Sequence, residues 1–175
     1  MTTLPTAHRY HSHGHAAASG RVALTYEDRF LRRKTLLTEE GTRILVDLPK
    51  TTSLDHGGVL LLEDGREITV IAAAEPLLQV TAEHLPRIAW HIGNRHTPCQ
   101  IEDTRLLIQP DHVIKDMLHL LGATVTEVTE PFTPEGGAYG HGRTHGHDHS
   151  HPHAHDHAQD QSHNHDGAHS HAHDH

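Results

Sequence analysis

The sequence contains one cysteine, Cys99, which excludes an internal disulfide framework. It also lacks any apolar run near the eighteen or so residues that a membrane-spanning helix needs. The first residues, MTTLPTAHRYHSHGH, have no apolar segment of the kind that a secretory signal requires. By elimination, these absences predict a soluble protein of the reducing cytoplasm, with no membrane partner.

Positive charge is scarce as well. The chain has 14 Lys and Arg against 23 Asp and Glu, and its formal net charge is −9 with neutral histidine. A basic nucleic-acid-binding surface is therefore not expected. The basic group of Arg29, Arg32, Arg33 and Lys34 is expected to form a solvated surface rather than a binding site. Because histidine has an unperturbed pKa of about 6.5, the net charge should rise strongly between about pH 7 and pH 5.

Catalytic motifs are missing too. The sequence has no H-E-x-x-H, nucleophile elbow, phosphate-binding loop or dinucleotide fingerprint, so we predict that the chain is not an enzyme. A metal-dependent hydrolase is kept as an alternative. It would need an open coordination position and a nearby general base. The acidic pair Glu102 and Asp103 lies close in sequence, but a pair at a strand end is usually solvated.

Histidine is abundant instead. Fourteen of the 24 histidines lie between His141 and His175, alternating with Asp, Ala, Ser, Gly and Pro, whereas a purification tag is normally an uninterrupted run. Imidazole is largely neutral at pH 7 and can bind metal without first losing a proton. Nitrogen sites favour Ni²⁺ and Cu²⁺ over Zn²⁺, so we expect Ni²⁺, with Zn²⁺ or Cu²⁺ competing. A merely solubilising tail is the alternative. The predicted tail ligands are His141, His145, His147, His149, His151, His153, His155 and His157.

Composition divides the chain into four segments. Residues 1–20 are predicted to form a disordered arm, which contains four histidines. Residues 21–73 show the alternation of short strands, an apolar run that Pro49 is expected to close, and an Asp64-Gly65 hairpin signal. Together these predict an all-β domain. The arm histidines are His8, His11, His13 and His15.

Residues 74–137 alternate between strand and helix patterns. Apolar residues recur with helical spacing from Leu85 to about Gly93, and Asp111 is a plausible N-cap of a second helix that Gly122 ends. The order β-α-β-β-α-β predicts a ferredoxin-like domain. Residues 138–175 form the predicted disordered His-rich tail. Because an all-β domain precedes a ferredoxin-like domain, the predicted fold class is α+β.

One histidine of this domain stands out. His96 follows the first helix and precedes Pro98, so we expect it in an exposed loop. A stable metal site needs about three or four protein ligands, which one histidine cannot supply. A two-fold dimer would bring two copies of His96 to one axis.

His112 is a second candidate ligand, whereas Cys99 is expected to be a small core residue. The remaining helix histidines, His84, His91 and His119, are more often structural.

Three strings resemble the UreE family of urease accessory proteins, which are nickel metallochaperones: GNRHTPCQI (93–101), DHVIKDMLHLLGATV (111–125) and EDGREITVIAAAEPLLQV (63–80). The His-rich C-terminus fits the same family, and the likeness covers 21–140. The resemblance implies a β domain that contacts partner proteins and a ferredoxin-like domain that dimerises and binds metal. The family's interfacial nickel histidine corresponds to His96. Some members have a histidine just before DHV, where this chain has Gln109-Pro110, which leaves His112 without that neighbour.

The resemblance also implies a function. A homodimer would bind Ni²⁺ at His96, collect and exchange ions on the tail, and deliver nickel to the urease apoprotein in a complex with the urease accessory GTPase. A passive nickel or zinc store, which needs only the tail, is the other alternative. The number of ions, the metal bound in the cell, the tail histidines that join His96 and the role of the arm stay open.

Overall fold

The structure is a computed structural model that describes residues 4–14 and 18–136. It has two domains, a six-stranded sheet followed by a four-stranded sheet with two helices, which confirms the predicted α+β fold. The predicted tail, 138–175, lies outside the described residues, and so does His15 of the predicted arm. In the described part of the chain, no helix has the length and apolar character needed to cross a membrane.

The N-terminal domain is all-β, as predicted. Its sheet has the order β2-β6-β5-β1-β4-β3, in which β1 pairs with β4 and β2 pairs with β6 in parallel. Alternate residues of these strands enter one buried apolar cluster, which explains the period-2 pattern of the sequence. The strands are β1 (Thr6–His11), β2 (Gly20–Leu24), β3 (Phe30–Leu37), β4 (Arg43–Ser53), β5 (Val59–Leu62) and β6 (Glu67–Ala72).

The prediction of a disordered arm is wrong for the first strand. β1 lies inside the sheet, hydrogen-bonded to β4 on one side and β5 on the other. Its pairing register with β5 shifts between Ala7 and Arg9, and the residues that reach the core are Ala7 and, in part, Tyr10. Because the bulge breaks the period of two, the strand has no alternating pattern that the sequence could reveal.

The predicted hairpin is confirmed. Gly65 has φ +84°, and its N–H donates to the Leu62 carbonyl at 3.0 Å, between β5 and β6. A residue with a side chain rarely adopts this backbone conformation, so Asp64-Gly65 was a dependable signal.

By contrast, β4 runs through Pro49, which was expected to close the strand. The β3–β4 register shifts beside it, where a missing N–H is tolerated.

The C-terminal domain has the predicted β-α-β-β-α-β order. Its sheet is antiparallel with the order β10-β7-β9-β8, and both helices pack on one face around a second apolar cluster. This is the ferredoxin-like arrangement. The elements are β7 (Ala74–Thr81), α1 (Leu85–Gly93), β8 (Cys99–Ile101), β9 (Leu106–Ile108), α2 (His112–Leu120) and β10 (Thr124–Pro131).

The helix ends also agree with the sequence. The Asp111 carboxylate accepts the Ile114 N–H at 2.9 Å, which satisfies one of the free donors at the start of α2. After α2, Gly122 has φ +81° and its N–H donates to His119 O at 3.0 Å. Ile114 and Leu118 are the buried residues of this helix.

The two domains meet at a small aromatic contact. The rings of Tyr26 and Phe132 are 5.3 Å apart, edge to face, and Phe132 is fully buried against Leu77 and Leu107. A guanidinium nitrogen of Arg29 donates to the Phe132 carbonyl. Arg29 is therefore buried, which corrects the expectation that it belongs to a solvated basic surface with Arg32, Arg33 and Lys34, whose side chains are exposed.

Candidate metal centre

His96 lies in the turn that ends α1. Its N–H donates to the Gly93 carbonyl at 2.9 Å, and Asn94 and Arg95 make similar backbone bonds to the last turn of the helix. The side chain of His96 is exposed, as the sequence predicted. Its φ is +56°, and His96 is the one residue other than glycine with positive φ among the described residues. Histidine is among the residue types enriched in this region, where most side chains are strained.

A side chain from the other helix contacts the same turn. Arg95 Nε donates to the sulfur of Met117 in α2 at 3.1 Å. Met117 in turn packs against the apolar cluster beneath the two helices. A thioether is a weak acceptor, but the contact links the turn next to His96 to a packed helix. The helix dipole favours a cation at this position, because His96 follows the C-terminal end of α1, where the dipole is negative.

His112 has the opposite setting. It is the first residue of α2 and is exposed. The helix dipole is positive at this end, which disfavours a bound cation unless other ligands offset it. The structure therefore places the two predicted body ligands, His96 and His112, at helix ends of opposite polarity.

Two of the other helix histidines are exposed and the third is half-buried. His84 caps the start of α1, and His119 lies in the last turn of α2; both are exposed. His91 is half-buried, with its ring edge to face against Trp90 at 5.0 Å between centroids. Trp90 is 64% exposed, which makes the end of α1 unusually apolar for a surface. Trp90 was not among the residues predicted to be functional, although the helical spacing places it on the polar side of α1.

Cys99 is a core residue, as expected. It is 9% exposed and belongs to the apolar cluster of the ferredoxin-like domain. Burial, with a smaller contribution from the charge of Glu135, raises the pKa of its thiol to about 11. Because a thiol ligates metals as the thiolate, this environment opposes a role for Cys99 as a soft ligand near neutral pH.

One histidine of β1, His8, is held by side-chain contacts to the N-terminal sheet. His8 Nδ1 lies 2.9 Å from the Asp47 carbonyl and Nε2 lies 2.8 Å from a Glu63 carboxylate oxygen. The backbone bond to Asp47 and the bond to Glu63 raise the pKa of His8 above its ordinary value. Both ring nitrogens thus lie within hydrogen-bond distance of protein oxygens, so neither nitrogen is directed at a metal in this arrangement.

No three His, Cys, Asp or Glu side chains are grouped closely enough to hold a metal ion within residues 4–14 and 18–136. The structure therefore does not bring His96 and His112 together with a third ligand in this part of one chain. The predicted tail ligands, His141 to His157, lie outside the described residues. Arg95 and Met117 contact each other beside the turn that holds His96, and Trp90 is exposed in the last turns of the helix before it.

Comparison with known proteins agrees with this architecture. The family model of the UreE urease accessory protein N-terminal domain matches residues 2–73, and that of the C-terminal domain matches residues 75–157. The first match includes β1, which sequence patterns had not revealed. The second extends from the ferredoxin-like domain into the His-rich segment.

Three curated relatives are each called urease accessory protein UreE. The protein of Ruegeria sp. (strain TM1040) is 69% identical over 139 residues, which are 79% of this chain and 79% of the relative. That of Ruegeria pomeroyi is 64% identical over 142 residues, 81% of this chain and 95% of the relative. That of Cereibacter sphaeroides is 58% identical over 146 residues, 82% of this chain and 80% of the relative. With both domain families matched and these identities, the chain belongs to the UreE family of urease accessory proteins.

Proposed function

We propose that this chain is a nickel metallochaperone that acts as a homodimer in the cytoplasm. It binds Ni²⁺ between the His96 side chains of two protomers and delivers the ion to the urease apoprotein. The single observation on which the proposal rests is the exposed His96 imidazole, held in a positive-φ turn at the negative end of α1. The relatives' name, urease accessory protein, supports a role in urease maturation rather than in catalysis.

Symmetry completes the site. One imidazole does not hold Ni²⁺ tightly, and within the described residues of one chain His96 belongs to no group of three potential metal ligands. A two-fold axis supplies a second His96 from an identical chain, and histidines of the tail supply the rest. The exposed Trp90, in the last turns of the same helix, supports this face as the contact between protomers, because aromatic residues are enriched at interfaces.

Lability is the second requirement of a carrier. Neutral imidazole ligands at an exposed position release Ni²⁺ more readily than a closed set of thiolates would. Cys99, the one thiol of the chain, is buried in the core. In the proposed cycle, the tail histidines from His141 onward collect and exchange ions. The dimer then transfers Ni²⁺ within a complex of the urease accessory GTPase and the urease apoprotein, with Zn²⁺ and Cu²⁺ as competing ions.

Calorimetric titration with Ni²⁺ tests the assignment of His96. His96→Ala should abolish the tightest binding event of the dimer, while most of the bound ions remain on the tail. His84→Ala is the matched control, because His84 is also an exposed histidine at an end of α1. An unchanged tight event in His96→Ala would exclude His96 as the nickel ligand.

Removal of the tail separates the carrier from a passive nickel or zinc store. A chain that ends after Gly140 retains His96 but loses fourteen histidines. A carrier should keep part of its ability to activate urease in a reconstituted assay, whereas a store should lose its role entirely.

Light scattering of the same truncated chain, with and without Ni²⁺ or Zn²⁺, tests the homodimer. A mass that stays at one protomer throughout would contradict the symmetric site.

A further inference from the structure

The residues that follow β10 cross the ferredoxin-like sheet. β10 and β8 are the two edges of this sheet, with β7 and β9 between them. The helices cover one face, where Leu78, Ile108 and Cys99 point. Phe132 lies on the other face, fully buried against Leu77 and Leu107 of the two central strands. The chain therefore turns back over the sheet immediately after β10 ends.

The crossing ends at the opposite edge. The Thr133 N–H donates to the side-chain oxygen of Gln100 at 2.7 Å, and the Glu135 N–H donates to the Cys99 carbonyl at 2.9 Å. Both acceptors belong to β8. We call residues 132–135 the tail anchor, because the His-rich segment follows them directly.

Gln100 is itself held in place. Its Nε2 donates to a Glu102 carboxylate oxygen at 2.7 Å. Glu102 accepts from Arg105 Nε at 2.6 Å, and Arg105 Nη1 donates to Glu130 of β10 at 3.0 Å. An ionised carboxylate can only accept, so Glu102 fixes which end of the Gln100 amide is the oxygen. That oxygen then faces Thr133.

The position of this attachment matters because of His96. Cys99 follows His96 by three residues, and a chain spans at most about 3.6 Å per residue, so the two backbones lie within about 11 Å. From the attached residue Glu135 to His141, the first histidine of the tail, there are six residues, or about 22 Å at most. The last described residues before the His-rich segment therefore lie at the β8 edge of the sheet, which is three residues along the chain from His96, and not at the β10 edge.

We propose that Gln100 is a positioning residue for the metal-binding tail. By holding the tail anchor on β8, it starts the histidine-rich segment beside His96 and raises the effective concentration of tail imidazoles at that site. This inference rests on the proposed nickel site at His96.

Nickel calorimetry on two glutamine variants tests the proposal. Gln100→Leu removes the acceptor for Thr133 and keeps the size of the side chain. Gln79→Leu is the matched control: Gln79 lies in the same cross-strand row, on the same face, and also contacts Arg105, but it makes no hydrogen bond to the tail anchor. Each variant is made in the full chain and in the chain that ends after Gly140.

We expect Gln100→Leu to weaken the tightest nickel event of the full chain by roughly three- to tenfold. The same change should have no effect in the truncated chain, and Gln79→Leu should have none in either. Hydrogen exchange provides a readout without metal, since the Glu135 amide should lose protection in Gln100→Leu alone.

An equal loss of affinity in both chain lengths, or an unchanged affinity in the full chain, would overturn the proposal. If His96→Ala leaves the tight event intact, the nickel site itself is wrong; if it removes the event while Gln100→Leu does not alter it, only the tail anchor is wrong.

Discussion

The ring of Phe132 packs edge to face against that of Tyr26, 5.3 Å away, and this contact joins the residue that follows β10 in the C-terminal domain to the connection between β2 and β3 in the N-terminal domain. The Tyr26 N–H donates to a carboxylate oxygen of Glu75 at 2.7 Å, across the same junction. Glu75 is 7% exposed, and its other oxygen accepts from Gln109 at 3.3 Å. Aromatic packing and a buried carboxylate therefore connect the two sheets.

Removal of the Phe132 ring should destabilise the protein. Phe132 is fully buried, so Phe132→Ala should lower the free energy of unfolding by about 3–5 kcal/mol, from lost apolar transfer and the cavity that remains. Urea unfolding followed by circular dichroism measures the change. Phe30→Ala is the control, since Phe30 is the other phenylalanine of the chain and is 37% exposed. Equal losses in the two variants would show that the Phe132 contact is not special.

Substitutions at His96 should separate folding from metal binding. His96→Gly removes the ligand but suits φ +56°, so its free energy of unfolding should stay within about 1 kcal/mol of the wild type. His96→Val removes the ligand and adds a β-branched side chain in the left-handed region, which should cost about 1–2 kcal/mol. Thermal unfolding and nickel calorimetry are measured on both variants. Both should lose the tight nickel event, and a destabilised glycine variant would contradict the backbone argument.

The cap of α2 should contribute to stability independently of metal. Asp111→Ala deletes the acceptor for the Ile114 N–H and should cost about 1 kcal/mol in the free energy of unfolding, measured by chemical denaturation. Asp116→Ala, on the exposed side of the same helix, is the control and should change the stability much less. A small effect at Asp111 would mean that water replaces the side-chain cap.

The contacts of His8 predict a pH dependence. The Asp47 carbonyl and the Glu63 carboxylate raise the pKa of His8 above 6.5 in the folded state. The contribution of His8 to stability is therefore fully present below about pH 6.5 and is lost as the pH rises through the raised folded pKa.

An NMR titration of the His8 ring should give a pKa above 6.5. Glu63→Gln should lower that pKa, while Asp64→Asn should leave it almost unchanged, because Asp64 pairs with Arg66 instead. An unshifted His8 in the wild type would show that these contacts do not persist in solution.

Much of the ferredoxin-like domain could be predicted because its signals are local. The helical spacing of apolar residues gave α1, and Asp111 and Gly122 gave the ends of α2. The Asp64-Gly65 turn gave the hairpin of the first domain for the same reason, since a tight turn selects its own residues. His96 was placed in an exposed turn by the helix that ends before it and the proline that follows.

Other features depend on partners far away in the sequence. β1 was missed because its strand character comes from pairing with β4 and β5, and its bulge removes the alternation. Arg29 was assigned to a solvated surface because charge alone does not reveal the Phe132 carbonyl that its guanidinium meets. The hydrogen bond between Thr133 and Gln100 could not be predicted, because neither residue type indicates a partner that lies 33 residues away in the sequence.

By itself, the sequence determined the fold class, the helix ends, the exposed His96 turn and the histidine-rich composition of the tail, because each follows from residues adjacent along the chain. Only the tertiary structure decided that β1 belongs to the sheet, that Tyr26 meets Phe132, and that the chain returns to β8 before the tail begins. These arrangements bring together residues from distant parts of the chain. Their free energy comes from burial and hydrogen bonds that exist only after the strands have packed.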